Sequence, residues 1–402
     1  MSQLDTRVEV KASSARRNAR SWQKLLAAAG IVFPLSFVAA SEGRRRLVRW
    51  FQHRYFRETY APVEMTADHA GNYPATVHLD NVPWIATREW YCQANSLAMI
   101  ARQHGAETTT GHCSFLMGFT YGAVEVPGQV GFSPFSDPEP GFGVAAPYFG
   151  LVRRYLVSRD PDLYLRVLRT CLARGYAVRV ALDVGVVYGL GRELPHSDLL
   201  VGYDEQGFHY YETVCIDGVP PAPLDLAPGQ KGLWISNRTL LEAVSSQAQQ
   251  FGYPWRYNLT IFESGPVQRD LRPIWTRNGN QLIGGVKYGP RQGADAIDKL
   301  ATSFERLGAR IDLSQVRWEL EAAVFTRRDN AAYLRSIFSN NVELARAACI
   351  FDECAARYRQ VAAAIVDGVA DQTEAQQIAQ WLHAAAGAER AIGAILLTQG
   401  KA

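Results

Sequence analysis

The chain is 402 residues long, which is more than one hydrophobic core usually holds and favours two or three domains. With 48% hydrophobic and 20% charged residues, it has the composition of a globular protein, which excludes a disordered chain or a fibre. The net charge of +3 argues against a nucleic-acid-binding protein. The six cysteines are too sparse for a disulfide scaffold and have no zinc-ligand spacing, so we expect no metal, no cofactor and a cytoplasmic location.

Positive charge is concentrated at the start of the chain. Residues 1–60 contain twelve Lys or Arg and four Asp or Glu. Residues 25–40 are uncharged and mostly apolar, and residues 44–57 interleave arginines with apolar side chains. We interpret residues 1–75 as a basic helical N-terminal extension that packs on the main domain. Two alternatives stay open: weak contact with a membrane surface or an acidic partner, and a signal peptide over residues 1–40, which would mean export.

The next part of the chain, residues 76–270, mixes helix and strand signals and is predicted to form the catalytic domain. Apolar periodicity predicts helices over residues 93–103 and 162–173. Strands are predicted over three further runs, 177–183, 197–203 and 207–211. The turn-type residues 204–206 should join the last two strands as a hairpin.

Two segments rich in glycine are predicted to be irregular. Residues 128–150 contain many Gly, Pro and Phe residues, and we expect a long loop whose phenylalanines could cover a site. The glycines of residues 277–293 should break regular structure and mark a boundary. Beyond it, an Ala-rich composition predicts a C-terminal helical domain over residues 285–402.

Cys92 is the first candidate for a catalytic group. It lies at the start of the helix predicted from residue 93. The positive end of a helix stabilises a thiolate, and the free backbone N–H groups of the first turn can bind a developing oxyanion. These are the properties that a nucleophilic cysteine needs.

A histidine and a carboxylate complete the pattern. His196 begins the first strand of the predicted hairpin, and Glu212 follows the end of the second strand. Because the turn lies near the midpoint between them, the hairpin should bring the two side chains together. A carboxylate in this position fixes the tautomer of the imidazole and stabilises its charged form. If Glu212 is not this third member, Asp183 or Asp198 is the next candidate.

These residues resemble the papain-like cysteine fold in its bacterial form, as in bacteriocin-processing peptidases, and more closely the family of butirosin biosynthesis protein H. FLMGFTYG at 115–122 stands in the place of that family's Gly/aromatic stretch, and VALD at 180–183 in the place of the strand before the histidine. The histidine strand, from His196 to GYD at 202–204, is also similar. With KYGP at 287–290 and the helices at 333–397, the resemblance covers about residues 80–400.

The resemblance implies an α+β, papain-like cysteine protease fold with a C-terminal helical region, to which this chain adds its N-terminal helical extension. It implies a cysteine-dependent acyltransferase of natural-product or antibiotic biosynthesis. An acyl group on the phosphopantetheine of an acyl carrier protein, or on CoA, would pass through a catalytic triad to a small-molecule amine. By position, Cys92 is the nucleophile, His196 is the general base and then the acid, and Glu212 orients the imidazole.

The chain departs from the peptidases in two positions, and other functions stay open. No Gln precedes the nucleophile within residues 85–91 to form the oxyanion hole, and Glu stands where Asp is commoner. Tyr91, Gln93 and Asp183 are further candidates for the pocket or the oxyanion hole, although a turn or cap role is equally open for Asp183. One alternative function is a peptidase, amidase or cyclase that uses the same triad, and another is an inactive binding module.

Overall fold

The described part of the chain begins at residue 53. The computed structural model describes residues 53–87, 89, 91–118, 121–126, 129–134, 138–214, 232–284, 292–308, 317–366, 369 and 371–401. The interpretations of the apolar segment and of most of the arginine-rich stretch lie outside these residues. Residues 53–60 are helical, and Tyr60 is buried in edge-to-face contact with Tyr155 and in tilted contact with Trp255. The described end of the N-terminal extension is thus packed on the rest of the protein.

Most of the strands belong to one mixed sheet. The strands of the described residues are β1 Val63–Glu64, β2 Val77–His78, β3 Tyr121–Val126, β4 Gln129–Pro134, β5 Leu151–Ser158, β6 Val178–Asp183, β7 Pro195–Tyr203, β8 Gly207–Tyr211, β9 Leu233–Ser236 and β10 Tyr257–Ser264. The eight-stranded sheet has the order β1-β5-β10-β6-β7-β8-β9, and β2 also pairs with β7. Only the β1–β5 pairing is parallel among these described strands. The class predicted from the sequence, mixed α and β, is confirmed at this level.

Strand β7, which carries His196, pairs with β6 and β8 in the interior of this sheet. Every residue of β6 is buried, as is every residue of β7 after Pro195. Such runs of Val, Leu and Ala are typical of strands that are covered on both faces. The predicted β7–β8 hairpin is confirmed: Leu199 pairs with Tyr211, and the Asp204 carboxylate accepts two backbone N–H groups in the turn. The site is therefore built on a rigid part of the fold.

Helices surround the sheet and make up the C-terminal third of the chain. Their bounds are α1 Cys92–Gln103, α2 Thr110–Met117, α3 Pro138–Ala145, α4 Pro161–Ala173, α5 Val184–Val187, α6 Asn237–Gln250, α7 Arg272–Ile283, α8 Gly293–Leu307, α9 Arg317–Ile337, α10 Val342–Ala364 and α11 Gln372–Gln399. Single turns of 3₁₀ helix lie at Ala67–His69 and Ala146–Phe149. Within the described residues, no helix has the length and apolarity that a bilayer span requires.

The C-terminal helices pack on each other and on the sheet-bearing part. Helix α11 contacts α7, α8 and α10, and α9 contacts α10 and α2. A core within the helical part contains Ile297, Tyr358 and Leu382. The main core extends through both parts, since it contains Leu199 of β7 as well as Leu396 of α11. Side chains from the two predicted domains thus share one apolar interior.

The expectation of a long loop over residues 128–150 is wrong. Strand β4 pairs with β3 as a separate hairpin that contacts α8 and α9, and helix α3 follows it. Phe142 on α3 is fully buried in edge-to-face contact with Phe262 of β10. A side chain fixed in the core in this way cannot be part of a mobile cover.

The expectation that residues 277–293 interrupt regular structure is also wrong for residues 277–283. Helix α7 continues to Ile283, and only then does Gly284, with φ of 89°, end it. Gly279 lies within α7 where the helix crosses α11, and a Cβ there would be 2.8 Å from the carbonyl oxygen of Gly393. This glycine permits close packing of two helices and does not interrupt one of them.

Candidate active site

The thiol of Cys92 is at the first residue of α1. Tyr91 is the N-cap residue, but its side chain accepts no hydrogen bond from the backbone N–H groups of the first turn. The Cys92 side chain is 9% exposed, and all residues from 92 to 101 are buried. Residues 92–101 of the helix are therefore enclosed, and its N-terminus places the thiol beside the backbone N–H groups of the first turn. This placement agrees with the helix start predicted from the sequence.

Asn95 holds α1 against the end of the β7–β8 hairpin. Its buried amide nitrogen donates to the carbonyl oxygen of Thr213 at 2.7 Å and to the hydroxyl of Thr87 at 3.0 Å. Its amide oxygen accepts the hydroxyl of Thr110 at 2.6 Å. Because Thr213 directly follows Glu212, these hydrogen bonds fix helix α1 relative to the Glu212 carboxylate.

His196 and Glu212 are joined by a short hydrogen bond. The distance between His196 Nε2 and Glu212 Oε1 is 2.6 Å, and both residues are buried. The hydroxyl oxygen of Thr213 lies 3.3 Å from the same nitrogen and donates its own proton to the carbonyl of Ser197. Two acceptors thus face Nε2, which keeps a proton on that nitrogen. Nδ1 is the atom left to exchange a proton, and it has no hydrogen-bond partner among the described residues.

The Glu212 carboxylate is held on all sides. Oε1 also accepts the backbone N–H groups of Thr213 at 2.9 Å and Val214 at 3.1 Å. Oε2 accepts the hydroxyl of Tyr188 at 2.8 Å. Burial acts to raise the pKa of Glu212, but the charge of His196 and these donors outweigh it and hold the pKa below its usual range.

The surroundings of His196 favour the charged form of its imidazole although the residue is buried. Desolvation acts to lower the pKa of the imidazole, but the negative charges of Glu212 and Cys92 raise it well above its usual value. Cys92 therefore lies near enough to act on His196 electrostatically. No hydrogen bond joins the Cys92 thiol to the imidazole in the structure.

A second carboxyl group, Asp198, lies at the same place. It is two residues after His196 on β7, so the two side chains project from the same face of the strand. Asp198 Oδ1 is 3.4 Å from His196 Nε2, and neither residue's side chain is exposed. Strand alternation puts Asp198 on the face of His196, and the hairpin midpoint brings Glu212 to the same place. From the sequence, Asp198 is only an alternative to Glu212 as the third member of the triad.

The other predicted pocket residues have structural contacts. Gln93 Oε1 accepts hydrogen bonds from Arg179 at 2.8 Å and from Ser197 at 2.9 Å. The ring of Tyr91 packs edge-to-face on Phe325 of α9, and burial together with the charge of Asp329 raises its pKa well above the usual value. Tyr91 therefore faces the helical region.

Asp183 caps a turn and does not line the site. One of its oxygens accepts the backbone N–H groups of Gly185 at 2.9 Å and Leu194 at 2.8 Å. The other accepts the Ser246 hydroxyl at 2.7 Å and the Gln250 amide at 2.6 Å. Of the two roles left open by the sequence, the structure shows the cap.

One group of side chains among the described residues has donor atoms close enough for a metal ion. The donor atoms of His196, Asp198 and Glu212 lie within 4.8 Å of one another. However, His196 Nε2 and Glu212 Oε1 are already bonded to each other at 2.6 Å, and Oε1 accepts two backbone N–H groups as well. Two members of this cluster are thus hydrogen-bonded to each other.

A groove among the described residues lies away from this site. It has a volume of about 530 Å³ and is lined by residues of the other end of α1, the start of α2 and the end of α9, among them Arg102, His112 and Tyr333. At about 1.5 Å per helical residue, Arg102 is roughly 15 Å along the helix from Cys92. This groove is therefore separate from the candidate site.

Comparison with known proteins assigns no family to this chain: no protein-family model matches it, and no curated protein does. The function proposed below therefore rests on the geometry of Cys92, His196 and Glu212, and on the resemblance of the residues around them.

Proposed function

We propose that the protein is a cysteine-dependent acyltransferase with a papain-like catalytic domain. The observation that carries the proposal is the imidazole of His196, which Glu212 holds at Nε2 while Nδ1 has no partner among the described residues. The nucleophile that such an imidazole would serve is Cys92, whose charge acts on it from the start of α1. A cysteine at the start of a buried helix, facing a histidine and a carboxylate on two antiparallel strands, is the arrangement that nucleophilic cysteine catalysis requires.

In the first step, the Cys92 sulfur attacks the carbonyl carbon of an acyl thioester. A new C–S bond forms, and the backbone N–H groups of the first turn of α1 receive the charge on the carbonyl oxygen. The bond to the donor sulfur then breaks, and the departing thiolate takes the proton from Nδ1 of His196. The acyl group is now a thioester of Cys92, and the donor leaves as a free thiol.

In the second step, an amine attacks the acyl carbon. His196 takes a proton from the amine, an amide bond forms, and the bond to the Cys92 sulfur breaks. The cysteine returns as a thiolate beside a protonated His196, so each cycle transfers one acyl group. From the family resemblance, we propose that the donor is an acyl carrier protein with a phosphopantetheine thioester, or CoA, and that the acceptor is an amine of a natural-product precursor in the cytoplasm.

The burial of the site supports transfer over hydrolysis. Cys92 is 9% exposed, His196 1% and Glu212 3%. A thioester that water reaches slowly survives until an amine arrives. A peptidase, amidase or cyclase would use the same triad. What separates these functions is the nucleophile, water or an amine, that attacks the acyl-enzyme.

The test is the lifetime of the acyl-enzyme on the full-length chain. Incubation with a series of acyl-pantetheine thioesters should add one acyl mass to the intact protein, and the adduct should persist without an amine and discharge with one. Cys92→Ala should show no adduct, whereas Cys349→Ser, which removes an exposed thiol, should behave as the wild type. Rapid cleavage of peptides or simple amides, with no lasting adduct from any thioester, would refute transfer in favour of hydrolysis.

A further inference from the structure

Asp198 is a buried acid that the mechanism above does not use. Its side chain is completely buried, and neither of its carboxylate oxygens accepts a hydrogen bond from a described residue. A buried carboxylate without donors is costly unless it is neutral or paired with a charge. The nearest cation is His196, whose Nε2 is 3.4 Å away and already bonded to Glu212.

The groups that face Asp198 are mostly acidic. Glu212 extends from the end of β8 into the same cluster, and the two carboxyl groups flank one imidazole. The hydroxyl groups of Tyr188 and Tyr210 lie nearby at 3.2 Å from each other, and the charge of Asp198 contributes to raising the pKa of each. The thiol of Cys92 is one residue further away, since it acts electrostatically on His196. Among the described residues, Asp198 is thus surrounded by a carboxyl group, an imidazole and two phenol groups.

The donors around the two carboxyl groups decide which of them is charged. Glu212 accepts hydrogen bonds from His196, from Tyr188 and from two backbone N–H groups. Asp198 accepts none from the described residues. When two carboxyl groups share a site, the one with more donors stays ionised and the other keeps a proton.

We propose that Asp198 is a positioning residue that keeps a proton beside the ionised Glu212, so that the two carboxyl groups present one negative charge to His196. Burial and the charge of Glu212 raise the pKa of Asp198 to about 7, against the opposing effect of His196. The proton is consequently lost just above neutral pH. A second negative charge then appears beside the imidazolium, which holds its own proton more tightly and gives it less readily to the departing thiolate of the donor.

The proton itself is open to direct measurement in the full-length protein. Infrared difference spectra between pH 6 and pH 8 should show the carbonyl band of a protonated carboxyl group that disappears as the pH rises. The band should be absent from Asp198→Asn and retained in Asp162→Asn, a matched loss of an exposed carboxyl group on α4. In Glu212→Gln, the band should disappear at lower pH because the repelling charge is gone. A wild type without the band at pH 6, or the same band in Asp198→Asn, would overturn the proposal, and the wild-type spectrum decides it even if the variant fails to fold.

Stability provides a second measurement with a defined sign. The folded pKa of Asp198 lies above the unfolded value, so between about pH 4 and about pH 7 the folded state holds a proton that the unfolded state has lost. Stability from this group is present below that window and is lost as the pH rises through it. The urea midpoint of the wild type should therefore fall relative to that of Asp198→Asn from pH 4.5 to pH 7.5. Parallel midpoints across this range would contradict a proton that Asp198 retains in the folded state.

The consequence for catalysis rests on the proposed function and has its own readout. In the wild type, the rate of acyl-enzyme formation from an acyl-pantetheine thioester should decline above about pH 7, whereas in Asp198→Asn this decline should be absent. If no acyl transfer occurs at all, the proposed function fails while the infrared band still decides the proton. If the band is present and the two pH profiles are the same, Asp198 does not tune His196.

Discussion

Glu212→Gln is the substitution that most clearly separates charge from shape at this site. It keeps the size of the side chain and an oxygen for His196 Nε2, but it removes the negative charge that lies 2.6 Å away. A hydrogen bond to a charged group contributes about 1.5–3 kcal/mol, compared with about 0.5–1.5 kcal/mol for a neutral one. The loss is then about 1–2 kcal/mol, and at about 1.4 kcal/mol for each factor of ten, acyl-enzyme formation should slow about 5- to 30-fold.

Two measurements on the same variant test this reasoning. The rate of acylation by an acyl-pantetheine thioester gives the kinetic effect, and an NMR titration of the imidazole should show a lower pKa for His196, because Glu212 raises it in the wild type. Glu193→Gln is the matched control, since Glu193 is exposed and only three residues before His196. If Glu212→Gln changes neither the titration of His196 nor the rate of acylation, Glu212 does not orient or charge the imidazole.

The remaining predictions concern the contacts that position the site. Asn95→Ala should lower the free energy of unfolding by about 2 kcal/mol, because the buried carbonyl group of Thr213 and the half-buried hydroxyl groups of Thr87 and Thr110 lose their hydrogen bonds to it; an unchanged urea midpoint would contradict it. Glu139→Gln should cost about 3–5 kcal/mol, because its carboxylate lies between the buried guanidinium groups of Arg153 and Arg179. A loss below about 1 kcal/mol in the same assay would show that those cations are solvated.

The sequence predicted the local elements of the site better than its surroundings. The helix of Cys92 and the strands of the β7–β8 hairpin follow from short-range patterns: apolar periodicity in one case, alternation and a turn in the other. The hairpin midpoint also predicted that His196 and Glu212 meet, and they do. Such features depend on neighbours in the sequence, so they can be inferred from it.

Elements that depend on tertiary contacts were missed. The glycines near residue 141 indicated a loop, but a Cβ at Gly141 would lie 3.2 Å from the carbonyl oxygen of Met117, so this glycine allows α3 to pack against α2. The burial of Asp198 could not be inferred either. Alternation shows the face on which Asp198 lies, and only the elements packed on that face show that it is closed to solvent.

The most direct test of the central claim, that Cys92 is a nucleophile served by His196, is the alkylation of the native protein by iodoacetamide near neutral pH. In a Cys349→Ser background, Cys92 should be labelled well ahead of Cys113 and Cys171, whose burial raises each pKa to about 12. His196→Gln should slow the labelling of Cys92 by about tenfold or more, the equivalent of about 1.4 kcal/mol of lost charge pairing. Labelling of Cys92 at the rate of Cys171, or at a rate that His196→Gln leaves unchanged, would contradict the account.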